Sequence, residues 1–227
     1  MAVPVIEAIE TAVAPGFGDA TLTFARPTGT SEGELLLVHV AVRNGTSHTL
    51  PSGWTLLDET IHGGVMDYVA WKIATSSEPT SYYFANTVSS SDRASGALLR
   101  ISGVEESTPI NASAEASYNG DSAADESPSV TTTVSDCLLI VTQGHNVDPM
   151  TSTVPSGTTE EWKIGQAGQV LSHGASEEIA SSGATGVRTW TITGFADCFI
   201  LRSIAIAPAG GGGIVSVFMQ HYRRMRG

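Results

Sequence analysis

Short strand-like segments separated by turn residues are the feature that most constrains the fold of this chain. Nine segments rich in β-branched, aromatic or aliphatic residues alternate with clusters of Gly, Pro, Ser and Asn. They cover residues 20–26, 33–43, 65–74, 81–86, 95–104, 129–134, 136–144, 187–195 and 199–207. Helical spacing is limited to 5–12, where Pro15 would end a helix within two turns. The pattern predicts an all-β fold, an antiparallel β-sandwich of jelly-roll type.

The second half of the chain repeats parts of the first half. Three pairs of segments match in the same order, namely 34–38 with 136–140, 50–59 with 154–163, and 98–104 with 200–206. The offsets are 102, 104 and 102 residues, so we predict internal repeats at about 20–106 and 127–209, related by a pseudo-two-fold axis. Two stacked sandwiches would also fit, but strand signals are few between 145 and 185. We therefore favour one sandwich body over 1–209, with 117–129 as a boundary or a long surface loop.

The charge is unevenly distributed along the chain. The formal net charge is -12, yet residues 210–227 contain three arginines and no acid, while 1–209 hold all 23 acidic residues. An acidic body disfavours nucleic-acid binding, because phosphate contacts need Lys and Arg. No stretch reaches the ~20 apolar residues of a membrane span. The start of the chain lacks a signal-peptide pattern, which predicts a protein made in a cytoplasm.

The basic end of the chain predicts an attachment arm at 210–227. Four glycines, 210–213, form a flexible joint with a reach of about 11 Å. An apolar run and then the arginines follow, which predicts an apolar anchor with a basic rim. The predicted partner-binding residues are Ile214, Val215, Val217, Phe218, Met219, Tyr222, Arg223, Arg224 and Arg226. The arm could bind another protein of an assembly, contact its own body or a second copy, or stay disordered or on a membrane surface.

The motifs that resemble catalytic ones are better explained as turns. "GTSEG" (29–33) fits the G-x-S-x-G elbow, but a strand follows it where the elbow needs a helix. "NGDSAADE" (119–126) lacks a preceding apolar strand. Acidic residues cluster at Glu105/Glu106, Asp121/Asp125/Glu126, Glu160/Glu161 and Glu177/Glu178. Adjacent acids do not define two carboxylates across a cleft, so an enzyme acting on cell-wall sugars, through Glu160 or Glu161, remains a minor hypothesis.

No metal or cofactor is predicted. A calcium site of Asp121, Asp125 and Glu126 matches no EF-hand spacing. The six histidines, at 39, 48, 62, 145, 173 and 221, lack zinc-ligand spacing. His39 lies in the middle of a strand and is predicted to pack in the core or at an interface. The two cysteines, 137 and 198, are expected to be buried free thiols.

The aromatic residues leave two interpretations open. A sugar-binding platform could be lined by Trp54, Trp71, Trp162, Trp190, Tyr82 and Tyr83. Strand alternation instead places Trp71 on a face with Val65, Val69 and Ile73, which predicts burial. We favour a core role for Trp71.

Several segments together carry a family resemblance. They are "GELLLVHVAV" (33–42), "LPSGWTLLDE" (50–59), "YVAWKIATSSEPTSYYF" (68–84), "GALLRISGV" (96–104) and "RSIAIAPAGGGG" (202–213). This series resembles jelly-roll β-sandwich structural proteins of tailed-bacteriophage virions over about 20–209. The second half departs from it at Thr158, where a tryptophan is expected.

The resemblance implies a non-enzymatic, oligomeric virion protein without catalytic residues. We therefore expect a decoration, fibre or tail-appendage component on the particle, assembled in the host cytoplasm. Its expected partners are other virion proteins and further copies of itself. The alternative is a receptor-binding module for a host-surface glycan.

Overall fold

Antiparallel strands make up all the regular structure in the described part of the chain, as the sequence predicts. The structure, a computed structural model, describes residues 1–14, 20–88, 93–119, 125–146, 151–166, 169–193 and 198–210. Within these ranges every named element is a strand, and every strand pairing is antiparallel. The described part of the chain has no helix of the length and apolarity that crossing a membrane requires.

The described residues of the first half form eight strands. They are β1 (Val5–Val13), β2 (Leu22–Ala25), β3 (Leu35–Arg43), β4 (Ser47–Thr49), β5 (Thr55–His62), β6 (Val65–Ile73), β7 (Ser81–Thr87) and β8 (Ala94–Ser102). Five of them form the first sheet, in the order β1-β8-β3-β6-β5. The other three form a small sheet, β2-β7-β4, which covers one face of the first sheet.

Eleven strands lie in the part of the second half that the structure describes. They are β9 (Ile110–Asn119), β10 (Glu126–Ser127), β11 (Thr131–Thr132), β12 (Cys137–His145), β13 (Thr151–Thr153), β14 (Thr159–Gln166), β15 (Val170–Ile179), β16 (Gly183–Ala184), β17 (Arg188–Thr189), β18 (Thr191–Thr193) and β19 (Cys198–Ile206). The second sheet has the order β9-β19-β12-β15-β14, with the pairs β10-β17, β11-β16 and β13-β18 outside it. The long strands β14 and β15 lie in the stretch 145–185, which the sequence analysis treats as poor in strands.

The two five-stranded sheets pack against each other, so the described residues form four layers. An inner core between the sheets contains Leu35, Leu99, Leu138 and Ile204. A first outer core lies under β2-β7-β4, and a second outer core lies under the short strands of the second half. Each half therefore has its own outer core, and the two halves share the inner one.

The two halves correspond strand by strand. The two sheet orders are the same when each strand of the first sheet is matched to a corresponding strand of the second. The corresponding strands are β1 and β9, β8 and β19, β3 and β12, β6 and β15, and β5 and β14. Between the sheets β3 packs on β12 and β1 packs on β14, which is the arrangement that a two-fold axis near β3 and β12 produces. The β5–β6 and β14–β15 ladders each carry a bulge, after Leu56 and after Glu160. Bulges also occur at the same place in β1, after Ile6, and in β9, after Ile110.

The turn before β5 is also repeated before β14. The Trp54 amide donates to the Pro51 carbonyl at 3.3 Å, and the Thr158 amide donates to the Pro155 carbonyl at 3.2 Å. The glycines of the two turns have φ of 83° and 87°, which L-residues with a side chain rarely adopt. The matching "PSG" letters thus encode one turn twice.

Two details differ from the sequence-based expectation. The 102-residue offset would align Leu35 with Cys137, but Leu35 faces the inner core and Cys137 faces the second outer core. The residue that corresponds to Leu35 is Leu138, because a one-residue shift moves a strand residue to the other face. The segment with helical spacing, 5–12, is absent from the nine predicted strands but forms most of β1. The bulge in β1 explains this spacing of its apolar residues. With one extra residue inserted, Ile6 and Ile9 both pack on the inner core although they are three apart.

The jelly-roll subtype stays a prediction. An eight-stranded jelly roll has two facing sheets built from two Greek keys. The order β1-β8-β3-β6 opposite β2-β7-β4 agrees with such connections. The strand β5 departs from them, because it extends the first sheet instead of the small sheet.

Candidate functional site

The predicted attachment arm lies outside the described residues, apart from Gly210. None of the nine predicted partner-binding residues, from Ile214 to Arg226, is described. The end of the body is well defined, since the Ala209 amide donates to the Gly103 carbonyl at 2.7 Å and Val104 pairs with Pro208. The site has to be sought on the body.

A buried polar network joins the two sheets at their centre. It consists of His39, Asp67, Trp162, Ser172 and Arg202, and we call it the inter-sheet network. His39 Nε2 lies 2.7 Å from Asp67 Oδ2, and His39 Nδ1 lies 2.8 Å from Ser172 Oγ. Arg202 Nε donates to Asp67 Oδ1 at 2.7 Å. His39 is 1% exposed and lies between the two sheets, in agreement with the prediction that it packs in the core or at an interface.

The hydrogen bonds of the network form an unbroken sequence. Trp162 Nε1 donates to Ser172 Oγ at 2.9 Å. The Ser172 hydroxyl can then donate to His39 Nδ1, and His39 Nε2–H donates to the Asp67 carboxylate. Every ring nitrogen and hydroxyl is satisfied in this tautomer, as buried polar groups require.

Asp67 is the charged centre of the network. Burial alone raises the pKa of its carboxyl, but His39 and Arg202 donate hydrogen bonds to it and hold its pKa below the usual value. Arg202 also donates to the Asp67 carbonyl at 2.9 Å and to the carboxylate of Asp58. The ion pair is fully enclosed, since Asp67 is 0% exposed and Arg202 is 2% exposed.

Two glycines make room for the network. A side chain added at Gly144 would place its Cβ 2.1 Å from Asp67 Oδ2. At Gly174 the Cβ would lie 2.1 Å from the Trp162 ring. Any larger residue at either position would displace a member of the network or the strand that carries it.

A second polar chain lies in the second outer core. Ser152 Oγ is 3.0 Å from His173 Nδ1, and His173 Nε2 is 2.9 Å from Glu160 Oε2. Ser152 Oγ also lies 2.5 Å from Gln143 Oε1. Burial lowers the pKa of His173, although Glu160 acts in the opposite direction. The single hydroxyl hydrogen of Ser152 can go either to Gln143 Oε1 or to His173 Nδ1, because both atoms would have to accept it.

The inter-sheet network and the second polar chain both contain the residue types of a serine hydrolase, but neither exposes a serine hydroxyl that could act as a nucleophile. Ser172 is 0% exposed and Ser152 is 4% exposed, whereas a nucleophilic hydroxyl must reach its substrate. The acid of the second chain, Glu160, lies on β14 with its partner His173 on the neighbouring β15. The arrangement is suited to joining strands and sheets.

The sequence motifs weighed above take their places elsewhere. "GTSEG" forms a turn into β3, with Ser31 Oγ donating to the Gly29 carbonyl at 3.2 Å. Most of "NGDSAADE", including Asp121, lies outside the described residues. Cys137 and Cys198 are buried and form no disulfide, as predicted. The described residues contain no group of three His, Cys, Asp or Glu that could hold a metal ion.

The tryptophans do not form one platform. Trp54, Trp162 and Trp190 are buried in three different cores. Trp71 is half-buried and lines an open groove of about 400 Å³, which we call the tryptophan groove. Its other walls are Leu57 from β5 and residues 107–113 at the start of β9.

A groove of about 480 Å³ occupies the corresponding place on the other side of the molecule. It lies between the start of β1 and the strands β14 and β15, and we call it the acidic groove. Glu161 and Ser176 occupy the positions in the acidic groove that correspond to Leu57 and Trp71 in the tryptophan groove. Glu177 and Glu178 complete the acidic wall. The fold thus provides the same groove twice with different chemistry. The sequence matches did not predict this contrast, because none of them covers Trp71 or Ser176.

Comparisons of the chain with protein-family models, with curated proteins and with solved structures give no match. The function has to be inferred from the grooves, the buried networks and the charge distribution of this chain.

Proposed function

We propose that this chain is a non-enzymatic structural protein of a tailed-bacteriophage virion, a decoration, fibre or tail-appendage component displayed on the particle. Residues 210–227 attach it, to other virion proteins and to further copies of itself. The observation that carries the proposal is the inter-sheet network, which joins the two five-stranded sheets into one body.

A protein displayed on a particle needs a body that stays folded outside the cell without a cofactor or a conformational change. The inter-sheet network and the second polar chain each use a set of Ser, His and acidic residues for internal hydrogen bonds, with the serine hydroxyls inaccessible. The buried Asp67–Arg202 pair fixes how the halves meet, since separating them would leave both charges unpaired. The family resemblance over 20–209 supports the virion assignment.

The role of the arm in attachment is tested by deleting residues 210–227 and mixing the truncated protein with particles that lack this protein. We expect a soluble, folded body that no longer associates with particles. Normal incorporation of the truncated protein would contradict the proposal. The mass of the full-length protein in solution gives the oligomeric state, and a trimer would favour a spike or a fibre.

The anchor and the rim of the arm are separated by two variants. Phe218→Ala should weaken particle binding more than Arg224→Ala at moderate salt, because a buried aromatic anchor carries more affinity than a rim charge. The effect of Arg224→Ala should fade as salt rises. A dominant arginine effect at high salt would instead indicate buried charge recognition.

A second candidate function is binding of a host-surface glycan in the tryptophan groove. The observation that favours it is the partial exposure of Trp71 beside Leu57 and the hydroxyl-bearing residues Ser107 and Thr108. An aromatic face bordered by polar groups suits the apolar and hydroxylated faces of a sugar. Glycan-array binding that disappears in Trp71→Ala, but survives in Tyr83→Ala, would support it. Tyr83 is the matched control, because it is 61% exposed and does not line the groove.

A further inference from the structure

We propose that the acidic groove is a docking site for the arm of the same chain, residues 214–226. This inference concerns the isolated protein and does not depend on which virion protein the arm attaches to. Attachment to a partner would require the arm to leave the groove.

The groove has an apolar wall and an acidic wall. Pro4, Val5, Ile6 and Leu138 line one side. Val5 is 52% exposed, which leaves an apolar side chain uncovered at the mouth of the groove. The opposite wall carries the glutamates of β14 and β15. A ligand that fits both walls combines apolar side chains with positive charges, and the arm has this composition.

Two carboxylates of the groove are available for such a ligand. Glu177 is already paired with Arg188. Glu161 Oε1 accepts a hydrogen bond from Ser176 Oγ at 2.5 Å, but neither Glu161 nor Glu178 forms an ion pair with any residue that the structure describes. The arm brings Arg223, Arg224 and Arg226 within a few residues of one another. Charge complementarity therefore favours this groove.

The chain leaves the body beside the groove. Ala209 is hydrogen-bonded to Gly103, and a Cβ added at Gly103 would lie 3.8 Å from the Cα of Pro4, the first residue of the apolar wall. The four glycines 210–213 span up to about 14 Å when extended. A short flexible connection gives an effective concentration in the millimolar range, so weak contacts are enough for docking.

The groove also lies between two sheet edges. β1 is the edge strand of the first sheet, and β14 is the edge strand of the second sheet. The unpaired backbone groups of an edge strand can accept an added strand. An extended arm between β1 and β14 would gain backbone hydrogen bonds and cover Val5.

The tryptophan groove is the internal comparison for this assignment. It occupies the corresponding place but has no acidic residue in its lining. It would accept the apolar part of the arm and leave the arginines without partners. The acidic groove is thus the better of the two sites for this segment.

The test is hydrogen exchange of the full-length protein, followed peptide by peptide. In the wild type we expect slowed exchange of 214–226, and raising the salt from 0.05 to 0.5 M should remove most of the protection, as expected for charge contacts. The double variant Glu161→Gln/Glu178→Gln should speed the exchange of 214–226 about ten-fold, a size that two surface ion pairs account for. Trp71→Ala, in the tryptophan groove, should leave the arm unchanged.

A second variant guards against misfolding of the body. Arg223→Glu/Arg224→Glu changes only the arm and should release it equally, with a simultaneous loss of protection in 5–13. Unprotected 214–226 in the wild type, or unchanged protection in both double variants, would overturn the proposal. Protection that disappears on dilution would also overturn it, because the occupant would then be the arm of a second copy.

The two proposals fail separately. If the arm docks here, Glu161→Gln/Glu178→Gln frees it and leaves particle association intact or stronger. Deletion of 210–227 abolishes particle association only if the virion proposal holds.

Discussion

The two outer cores occupy corresponding places in the molecule and are built from different chemistry. In the first outer core Val42, Tyr68 and His48 lie where the second has His145, His173 and Ser152. His48 stacks on Tyr68 with ring centroids 4.3 Å apart, while His173 bonds Ser152 and Glu160. One strand order therefore accepts either apolar packing or a buried polar chain. The polar version depends on the protonation of its histidines.

In the inner core, corresponding residues of the two halves differ in charge. Asp67 and Ser172 are corresponding residues, and His39 lies between them. The position that holds Arg202 in the second sheet holds Ala97 in the first. Two identical halves would place like charges together, so the difference between them is what allows one ion pair to join the sheets.

The largest expected effect is the loss of Arg202. Arg202→Met leaves the Asp67 carboxylate buried without its cation, which should lower the free energy of unfolding by about 3–5 kcal/mol. The control is Arg100→Met, since sequence matching aligns Arg100 with Arg202. Arg100 pairs with Glu34 near the surface at 2.7 Å, and its loss should cost about 1 kcal/mol. Urea unfolding measures both, and equal losses would contradict the central role of the network.

The next effect concerns a pair of corresponding residues, Val69 and Gly174. Gly174→Ala brings a methyl group into the Trp162 ring and should lower the free energy of unfolding by about 3 kcal/mol. Val69→Ala places alanine at the corresponding position of the first sheet, where it leaves a cavity instead. Tryptophan fluorescence separates the two, because only Gly174→Ala should shift the Trp162 signal. An unshifted spectrum with unchanged stability would show that the strand adjusts freely.

The third prediction uses pH to separate the two outer cores. Burial lowers the pKa of His145 from 6.5 to about 3, so the unfolded chain binds this proton at a higher pH than the folded chain. The stability from this group is complete above pH 6.5 and is lost as the pH falls towards 3. Between pH 7 and pH 5 we expect a loss of about 2 kcal/mol from His145.

The matched variant is His145→Val, which places the residue of the first outer core in the second. It should reduce the dependence of unfolding free energy on pH below 6.5, while His173, whose pKa is also lowered, keeps part of it. Thermal unfolding between pH 4 and pH 7 measures the slope. An unchanged slope would show that His145 does not carry the acid sensitivity.

The smallest effect concerns two corresponding surface positions of opposite charge, Lys72 and Glu177. Lys72 pairs with Glu78, and Glu177 pairs with Arg188. Glu177→Gln should lower the stability by about 0.5 kcal/mol, because both partners are partly exposed. Lys72→Met should cost more, since the Glu78 side chain is only 2% exposed. Added salt should shrink the Glu177 effect and leave most of the Lys72 effect. The reverse order would mean that burial does not govern these pairs.

Sequence matching aligned β3 with β12 one residue out and β8 with β19 three residues out. The letters "LLR" and "ILR" align Arg100 with Arg202, yet Arg202 is buried between the sheets and Arg100 lies on the other face of its own sheet. Similar letters recur on both faces of a strand that is buried on both sides, so residue identity alone cannot fix the register. The "PSG" turn was aligned correctly because its glycine conformation is local.

The sequence by itself determined the strand-rich, antiparallel character of the chain, the two turns, the buried cysteines and the packing of His39 in the core or at an interface. These depend on local periodicity and on residue size and polarity, which single segments express. Only the tertiary structure decided that His39 meets Asp67 and Ser172, that Gly144 and Gly174 make room for the network, and that one groove is aromatic and its counterpart acidic. These features join residues that are far apart in the chain, as Asp67 and Arg202 are at 135 positions, and their register depends on bulges and on how two sheets stack.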